Sequence, residues 1–273
     1  MGIQIRTITA ETFSMRYFSF GSGEKTFVIL PGLSVRSVMC DAELIAKSYE
    51  MFTEEYTVYC FDRREDMPLK YSICDMARDT AAAIRELGLK DICLFGASQG
   101  GMIAMVIAAE NPDLVSKLVL GSSAARLPQD NPPVIKEWIR LAKEGGGVAL
   151  FLDFGEKIYP PKAARLFREL LIEAGRSVTE EDLRRFIICA ESGAGYDVTG
   201  RLKEIRCPVL ILGAADDQVL GPDASSVIAE GIRAGRTGPD DADVILHVYD
   251  GYGHAAFDMA PDYKDRIMAF FDA

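Results

Sequence analysis

The 273-residue chain has few of the residues that build metal or redox centres. It has two histidines and six cysteines (Cys40, Cys60, Cys74, Cys93, Cys189 and Cys207), with no C-x-x-C pair and no H-x-x-x-H spacing. A zinc site, a disulfide framework and a dithiol redox motif are therefore not expected, and neither a cofactor nor a metal is called for. The cysteines read as reduced thiols, two of them (Cys60 and Cys93) inside apolar, strand-like runs. No stretch approaches the roughly 18 consecutive apolar residues of a membrane-spanning helix. No basic start followed by an apolar run marks a secretory signal, so a cytoplasmic protein with no membrane partner is the expectation. Positive charge is also short: 30 Lys and Arg face 41 Asp and Glu, a net charge of −11. That sign disfavours nucleic acid as a partner. No internal repeat or low-complexity tract is present. What remains, 49% hydrophobic and 26% charged residues, is the usage of a globular domain large enough for a full core.

The order of patterns then sets the fold class. Residues 3–9 and 12–20 are β-rich and partly alternating, with Gly-Ser-Gly at 21–23 as a break, and predict an opening antiparallel pair. Short apolar runs bounded by turn residues follow, FVIL at 27–30, YTVYCF at 56–61, ICLF at 92–95 and KLVL at 117–120. Parallel strands covered by helices on both faces look like this. Between them, Ile73–Leu87 has helical spacing and ends at Gly88, and Met102–Ala109 is apolar throughout. The alternation stops near residue 121. It resumes with VLIL after Cys207-Pro208, a helix near 222–234, VILHVY at 244–249 and a last helix from about 261. The intervening residues 122–206 carry 14 basic and 13 acidic side chains. They show three helix-like stretches (Pro133–Lys143, Lys162–Ala174, Glu180–Glu191) joined by Gly- and Pro-rich connections, including Gly145-Gly146-Gly147. The chain is thus expected to be an α/β protein with a mostly parallel central sheet of about eight strands. Its core would comprise residues 1–121 and 207–273, with residues 122–206 as an inserted helical cap.

One motif carries chemistry. Gly96-Ala97-Ser98-Gln99-Gly100 fits G-x-S-x-G and lies between the strand ICLF and the helix MIAMVIAA, the context in which the pattern marks a nucleophilic serine on a tight turn. Cβ atoms two residues before and two after that serine would clash with neighbouring backbone, which explains the glycines. Gly101 is expected to leave room for the helix to approach the sheet.

On these residues the chain resembles the α/β-hydrolase family from residue 12 to 273. The resemblance implies a triad in the order Ser, acid, His, with the acid after the strand that follows the cap and the histidine after the last strand. His254, in the glycine-rich loop Asp250-Gly-Tyr-Gly-His254, fits the base, whereas His247 lies within a strand pattern and reads as structural. Two carboxylates compete for the acid. Asp217 is followed by one variable and two apolar residues, as in family members, and Asp216 has the usual spacing from Gly213. Asp217 is the preferred reading. The resemblance further implies an oxyanion hole built from the backbone N–H groups of Gln99 and Leu33. It also implies acyl transfer through a covalent intermediate on an ester, thioester, lactone or amide, or C–C hydrolysis. An aspartate nucleophile for halide or epoxide chemistry is absent, as is the cysteine of dienelactone hydrolases.

Two departures from the family pattern stand out. Its His-Gly after the third strand is Pro31-Gly32 here, and its Gly-rich loop after the fourth strand is Asp62-Arg63-Arg64-Glu65-Asp66. The second reads as a solvated loop, with unusual charge beside the site as the alternative. The cap aromatics Trp138, Phe151, Phe154, Tyr159, Phe167, Phe186 and Tyr196 read chiefly as packing, and Ser122 and Ser123 as either pocket or cap-entry residues. The expected function is hydrolysis of a small carboxylic ester, thioester or lactone. An acyltransferase, a C–C hydrolase and a non-catalytic ligand-binding scaffold are the alternatives. The partner expected is a small acyl substrate; a homodimer is possible.

Overall fold

The computed structural model describes residues 2–236 and 243–273; Met1 and residues 237–242, which belong to the two expected core segments, lie outside the described residues. Eight strands form one sheet: β1 (Ile5–Thr9), β2 (Ser14–Phe20), β3 (Lys25–Leu30), β4 (Tyr56–Arg64), β5 (Ile92–Ala97), β6 (Val115–Gly121), β7 (Val209–Ala214) and β8 (Val244–Tyr249). Their order across the sheet is β1-β2-β4-β3-β5-β6-β7-β8. The first two strands pair antiparallel with each other, β2 pairs antiparallel with β4, and every later pairing is parallel. This is the mostly parallel α/β sheet expected from the sequence. The chain steps from β3 outward to β4 and then back over β3 to β5, so the order reverses between β3 and β5. In open α/β sheets the carboxyl ends of two such strands splay their loops apart and leave a crevice.

Of the runs that read as buried strands, FVIL, ICLF and VLIL are buried for their whole length, while YTVYCF and KLVL are half-buried at Thr57, Tyr59 and Lys117. Every residue of β5 and of β7 is inside, and so are the last four of β3. Alternate side chains serve two separate cores. Val28, Leu30 and Leu94 face the layer made by α2 (Ile73–Glu86), α3 (Gln99–Glu110) and α8 (Ala224–Arg233), while Phe27, Ile29 and Phe95 face α1 (Ala42–Ser48) and α10 (Tyr263–Asp272). Helix α2 starts with a capping box in which Ser72 accepts from the Asp75 N–H and Asp75 accepts from the Ser72 N–H. It presents Ile73, Met76, Ala77 and Ile84 to the core. Helix α3 has no polar face at all: residues 99–108 are buried without a break. Its uniform apolar character follows from lying between the sheet and other helices on every side.

Residues between β6 and β7 hold four helices, one more than the sequence pattern suggests: α4 (Pro133–Lys143), α5 (Gly147–Ile158), α6 (Pro161–Arg176) and α7 (Glu180–Glu191). The missed helix is α5. Its entry through Gly145-Gly146-Gly147 reads as a connection in sequence, yet Gly147 is there for close packing. A Cβ on Gly147 would come within 2.5 Å of the Gly175 carbonyl oxygen, and one on Gly155 within 2.4 Å of Leu171 Cδ1. The glycines let α5 and α6 lie against each other. The two chain crossings into and out of the insert run side by side, tied by Leu127 N–H to Tyr196 O (2.7 Å) and Val198 N–H to Ala125 O (2.9 Å).

His247 sits on β8, packed edge-on against Tyr249 with ring centroids 4.5 Å apart, as its strand pattern suggested. Burial, with Arg266 nearby, holds its pKa below the usual imidazole value. All six cysteines are free thiols. No helix among the described residues is long and apolar enough to cross a membrane.

The second core is rich in aromatic rings: Phe27 packs on Phe52 (4.9 Å between centroids), on Phe271 (5.1 Å) and on Tyr49 (6.0 Å). This cluster ties α10 at the end of the chain to the central strand β3. Phe27→Ala is expected to cost about 3–5 kcal/mol in urea unfolding; a loss under about 1 kcal/mol would show that the cluster is not a principal contributor.

Candidate active site

The site begins with a backbone constraint. Strand β5 ends at Ala97 and helix α3 begins at Gln99, leaving Ser98 alone to turn the chain, with φ +52° and ψ −118°. This is a sparsely populated conformation for a residue with a Cβ, costing on the order of 1–3 kcal/mol, and the surroundings hold it. The Ser98 N–H donates to Gly121 O (2.7 Å), and the Ser123 hydroxyl donates to Ser98 O (2.8 Å). The two motif glycines give the needed clearance: a Cβ on Gly96 would lie 2.4 Å from Gly100 O, and one on Gly100 only 2.0 Å from Leu30 O. Gly100 is thus the residue that lets α3 approach the sheet. Gly101, expected to give the helix room against the sheet, does so as well, since a built Cβ would lie 3.0 Å from Gly96 O on β5, and it also clears the Ser123 side chain at 2.6 Å.

The histidine and the acid come from the last two strands. β7 and β8 run parallel with Ala214 beside Tyr249, so the loops that follow them leave the sheet together. The Asp216 carboxylate accepts the Gly253 N–H with both oxygens at 3.0 Å, which pins the loop one residue before His254. Asp217 Oδ2 lies 2.8 Å from His254 Nδ1, and His254 Nε2 lies 2.9 Å from Ser98 Oγ. An ionised carboxylate can only accept, so Nδ1 carries the proton and Nε2 of the neutral ring accepts from the serine hydroxyl. Asp217 Oδ1 is held in turn by the N–H groups of Val219 (2.8 Å) and Leu220 (3.0 Å). Asp217 and His254 are buried and Asp216 is exposed. The two carboxylates left open by the sequence therefore divide the work: Asp217 meets the imidazole, and Asp216 holds its loop.

Ser98 and His254 open onto a cavity at the carboxyl edge of the sheet. Leu33 and Gln99 line it as well. Gln99 is the first residue of α3, so its N–H has no partner within the helix. The other walls are apolar. Met102, Val219, Leu220 and Phe257 come from the core, and Leu127, Ile135, Trp138, Phe154 and Ile158 from the insert. Trp138 and Phe154 face each other 4.3 Å apart, and Trp138 Nε1 donates to Asp153 (2.9 Å). The remaining cap aromatics lie outside this cavity. Tyr159 and Phe167 pack on one another, Phe151 packs against the first core, and the Tyr196 hydroxyl donates to Met102 O (3.1 Å). Phe186 lines an adjoining cavity. Ser122 and Ser123 are both buried beside the elbow and line neither cavity. No cluster of three or more His, Cys, Asp or Glu that could hold a metal occurs among the described residues.

The charged run Asp62–Asp66, whose first three residues close β4, does not follow the solvated reading. Asp62 and Arg63 are 5% and 6% exposed. Arg63 Nη2 donates to Pro31 O (2.8 Å) and to Gln99 Oε1 (3.2 Å), bracing the residues on either side of the serine. Nothing in a single sequence separates such an arginine from the half-buried Arg64 and Glu65 beside it; only its place at the carboxyl end of a central strand hinted at burial.

Comparison with known proteins agrees with this architecture. Residues 27–266 match the profile described as "Alpha/beta hydrolase family". Among curated proteins the chain is similar to 3-oxoadipate enol-lactonase 2 of Acinetobacter baylyi, at 21% identity over 78% of this chain and 79% of that one. It is similar also to a putative carbamate hydrolase RutD of Azorhizobium caulinodans, at 29% identity over 73% of each. Among solved structures, the enol-lactonase from Burkholderia xenovorans shares the fold with a TM-score of 0.81 at 17% identity, covering 98% of this chain and all of the other.

The elbow geometry gives a direct stability contrast. Gly100→Ala must displace backbone and is expected to destabilise by about 2–3 kcal/mol or to prevent folding. Gly200→Ala, where a Cβ meets nothing within 4 Å, should stay within about 0.5 kcal/mol of the parent. Equal urea midpoints for the two variants would contradict the packing described.

Proposed function

Given that the chain belongs to the alpha/beta hydrolase family, we propose that it is a serine hydrolase of small carboxylic esters, thioesters or lactones. The observation that carries the reading is the continuous hydrogen-bonded chain Ser98–His254–Asp217 at the wall of an apolar cavity. The curated relatives named for lactone and carbamate hydrolysis support the same class of bond.

In this reading the carbonyl carbon of the substrate is attacked by Ser98 Oγ while His254 Nε2 takes the hydroxyl proton. A serine hydroxyl alone is too weak a nucleophile at neutral pH. Asp217 keeps the ring in the tautomer whose Nε2 accepts, and offsets the positive charge that the proton brings. The tetrahedral oxygen is met by the N–H groups of Gln99 and Leu33, which are fixed by the start of α3 and by the loop after β3. His254 then gives its proton to the departing alkoxide or thiolate, leaving the acyl group on Ser98. Water repeats the sequence: His254 takes a proton from it, the carboxylic acid departs and Ser98 Oγ regains its hydrogen. The insert 122–206 acts as the lid, supplying Trp138, Phe154 and Ile158 to the apolar wall and keeping bulk water from the acyl-enzyme.

Short 4-nitrophenyl esters and a small lactone provide the assay. Ser98→Ala and His254→Ala should each lower kcat/KM by about 10³-fold or more, since triad members act as a unit. Asp217→Asn should fall by at least about 10²-fold, because an amide can favour the wrong tautomer. Asp216→Asn keeps an acceptor for Gly253 and should fall less than about tenfold. Hydrolysis by folded Ser98→Ala at the parental rate, or a larger loss at position 216 than at 217, would overturn the assignment.

A further inference from the structure

The catalytic cavity has a polar neighbour. Gly32 and Gln99 line both, and the second cavity, with about 350 Å³ of empty space, is lined by Arg36, Arg63 and Arg185 with Asp62 as the sole carboxylate on its wall. Arg63 is the unusual member. Its guanidinium is buried, Nη2 is used by Pro31 O and Gln99 Oε1, and Nε is buried with no hydrogen-bond acceptor among the described residues. No carboxylate among those residues pairs with it within 4.0 Å, and Asp62 is committed elsewhere. Asp62 accepts the Ser37 hydroxyl (2.5 Å) and the Arg63 backbone N–H (2.7 Å), and faces Arg185 at 3.6 Å. A buried guanidinium without an anion is costly. A planar carboxylate is the group that best matches its fork of donors.

We propose that this second cavity seats a carboxylate carried by the substrate, so that the preferred substrates are esters or lactones bearing a free carboxylate beyond the scissile carbonyl. The identity of the scissile bond rests on the hydrolase reading above; the anion seat rests on Arg63. Gln99 links the two ends. It opens α3 directly after Ser98, its Oε1 accepts from Arg63, and its Nε2 donates to Cys189 O (2.7 Å). A carboxylate at Arg63 and a carbonyl at Ser98 thus sit on two sides of one residue. The net charge of −11 repels anions at long range, but that field is screened beyond roughly 10 Å at ordinary salt, and the local wall carries three arginines against one aspartate.

The test pairs charged and uncharged esters of one shape: the mono-4-nitrophenyl esters of glutarate and adipate against those of 5-methylhexanoate and 6-methylheptanoate, in which an isopropyl group replaces the carboxylate. The parent should favour the carboxylate by about 10- to 100-fold in kcat/KM, the range of a charged hydrogen bond. Arg63→Met should bring that ratio near one, and Arg185→Gln, a milder change, should lower it in the same direction. A purely structural brace would lower both ester series alike and leave the ratio unchanged, which would overturn the proposal, as would a parental ratio of one or less at both lengths. A binding arm is independent of catalysis. Adipate at constant ionic strength should raise the melting temperature of the Ser98→Ala protein and not of Ser98→Ala/Arg63→Met. If no ester is hydrolysed at all, the hydrolase reading fails and this arm alone decides the anion seat; absence of a shift, or an equal shift with sulfate, would overturn it.

Discussion

The single strained turn at Ser98 governs the architecture around it. Holding one side chain at a positive φ between a buried strand and a buried helix requires that α3 pass almost in contact with β3, since a Cβ at position 100 would reach Leu30 O. It also requires anchors on both sides, supplied by Gly121 O and the Ser123 hydroxyl from the next strand and its loop. The strain is thereby distributed over β3, β5 and β6, three adjacent strands at the point where the sheet order reverses. The hydroxyl that results stands at the carboxyl edge, where a crevice already exists for topological reasons.

Asp217 and His254 are placed by a second, separate device. Parallel register between β7 and β8 brings two loops together, and the adjacent aspartates 216 and 217 then act on different targets. One carboxylate ties down the backbone at Gly253; the other, held by two N–H groups of its own loop, meets the imidazole. The ring is thus fixed by its chain and by its hydrogen bond, with little freedom left to lose when substrate enters. Gln99 extends the same economy to the other wall: it opens α3 beside the serine, and its side-chain carbonyl accepts from Arg63.

The succession of strands along the chain, the elbow turn and the place of His254 in a loop were legible in the sequence because each leaves a local pattern. Buried parallel strands leave short apolar runs, the elbow leaves glycines at fixed offsets, and His247 is excluded by lying inside a strand pattern. The choice between Asp216 and Asp217 was only half legible, since both fit the loop and the decision depends on where the His254 ring lies in space. Helix α5 escaped notice because glycines at 145–147 and 155 carry the same letters whether they break a helix or let two helices touch. The burial of Asp62 and Arg63 was hidden for a similar reason. A run of five charged residues is usually a solvated face, and here the first two follow the strand inward while the strand ends at Arg64. Gly101 was legible as a clearance against the sheet, but its second clearance, of the Ser123 side chain, was not.

The account stands on the claim that His254 activates Ser98 and no other hydroxyl. Reaction of the folded protein with a fluorophosphonate, followed by peptide mass spectrometry, tests it most directly. The prediction is one phosphonyl group per chain, located on Ser98, with labelling lost in His254→Ala. Modification at another residue, or labelling of Ser98 at an unchanged rate without the histidine, would contradict it.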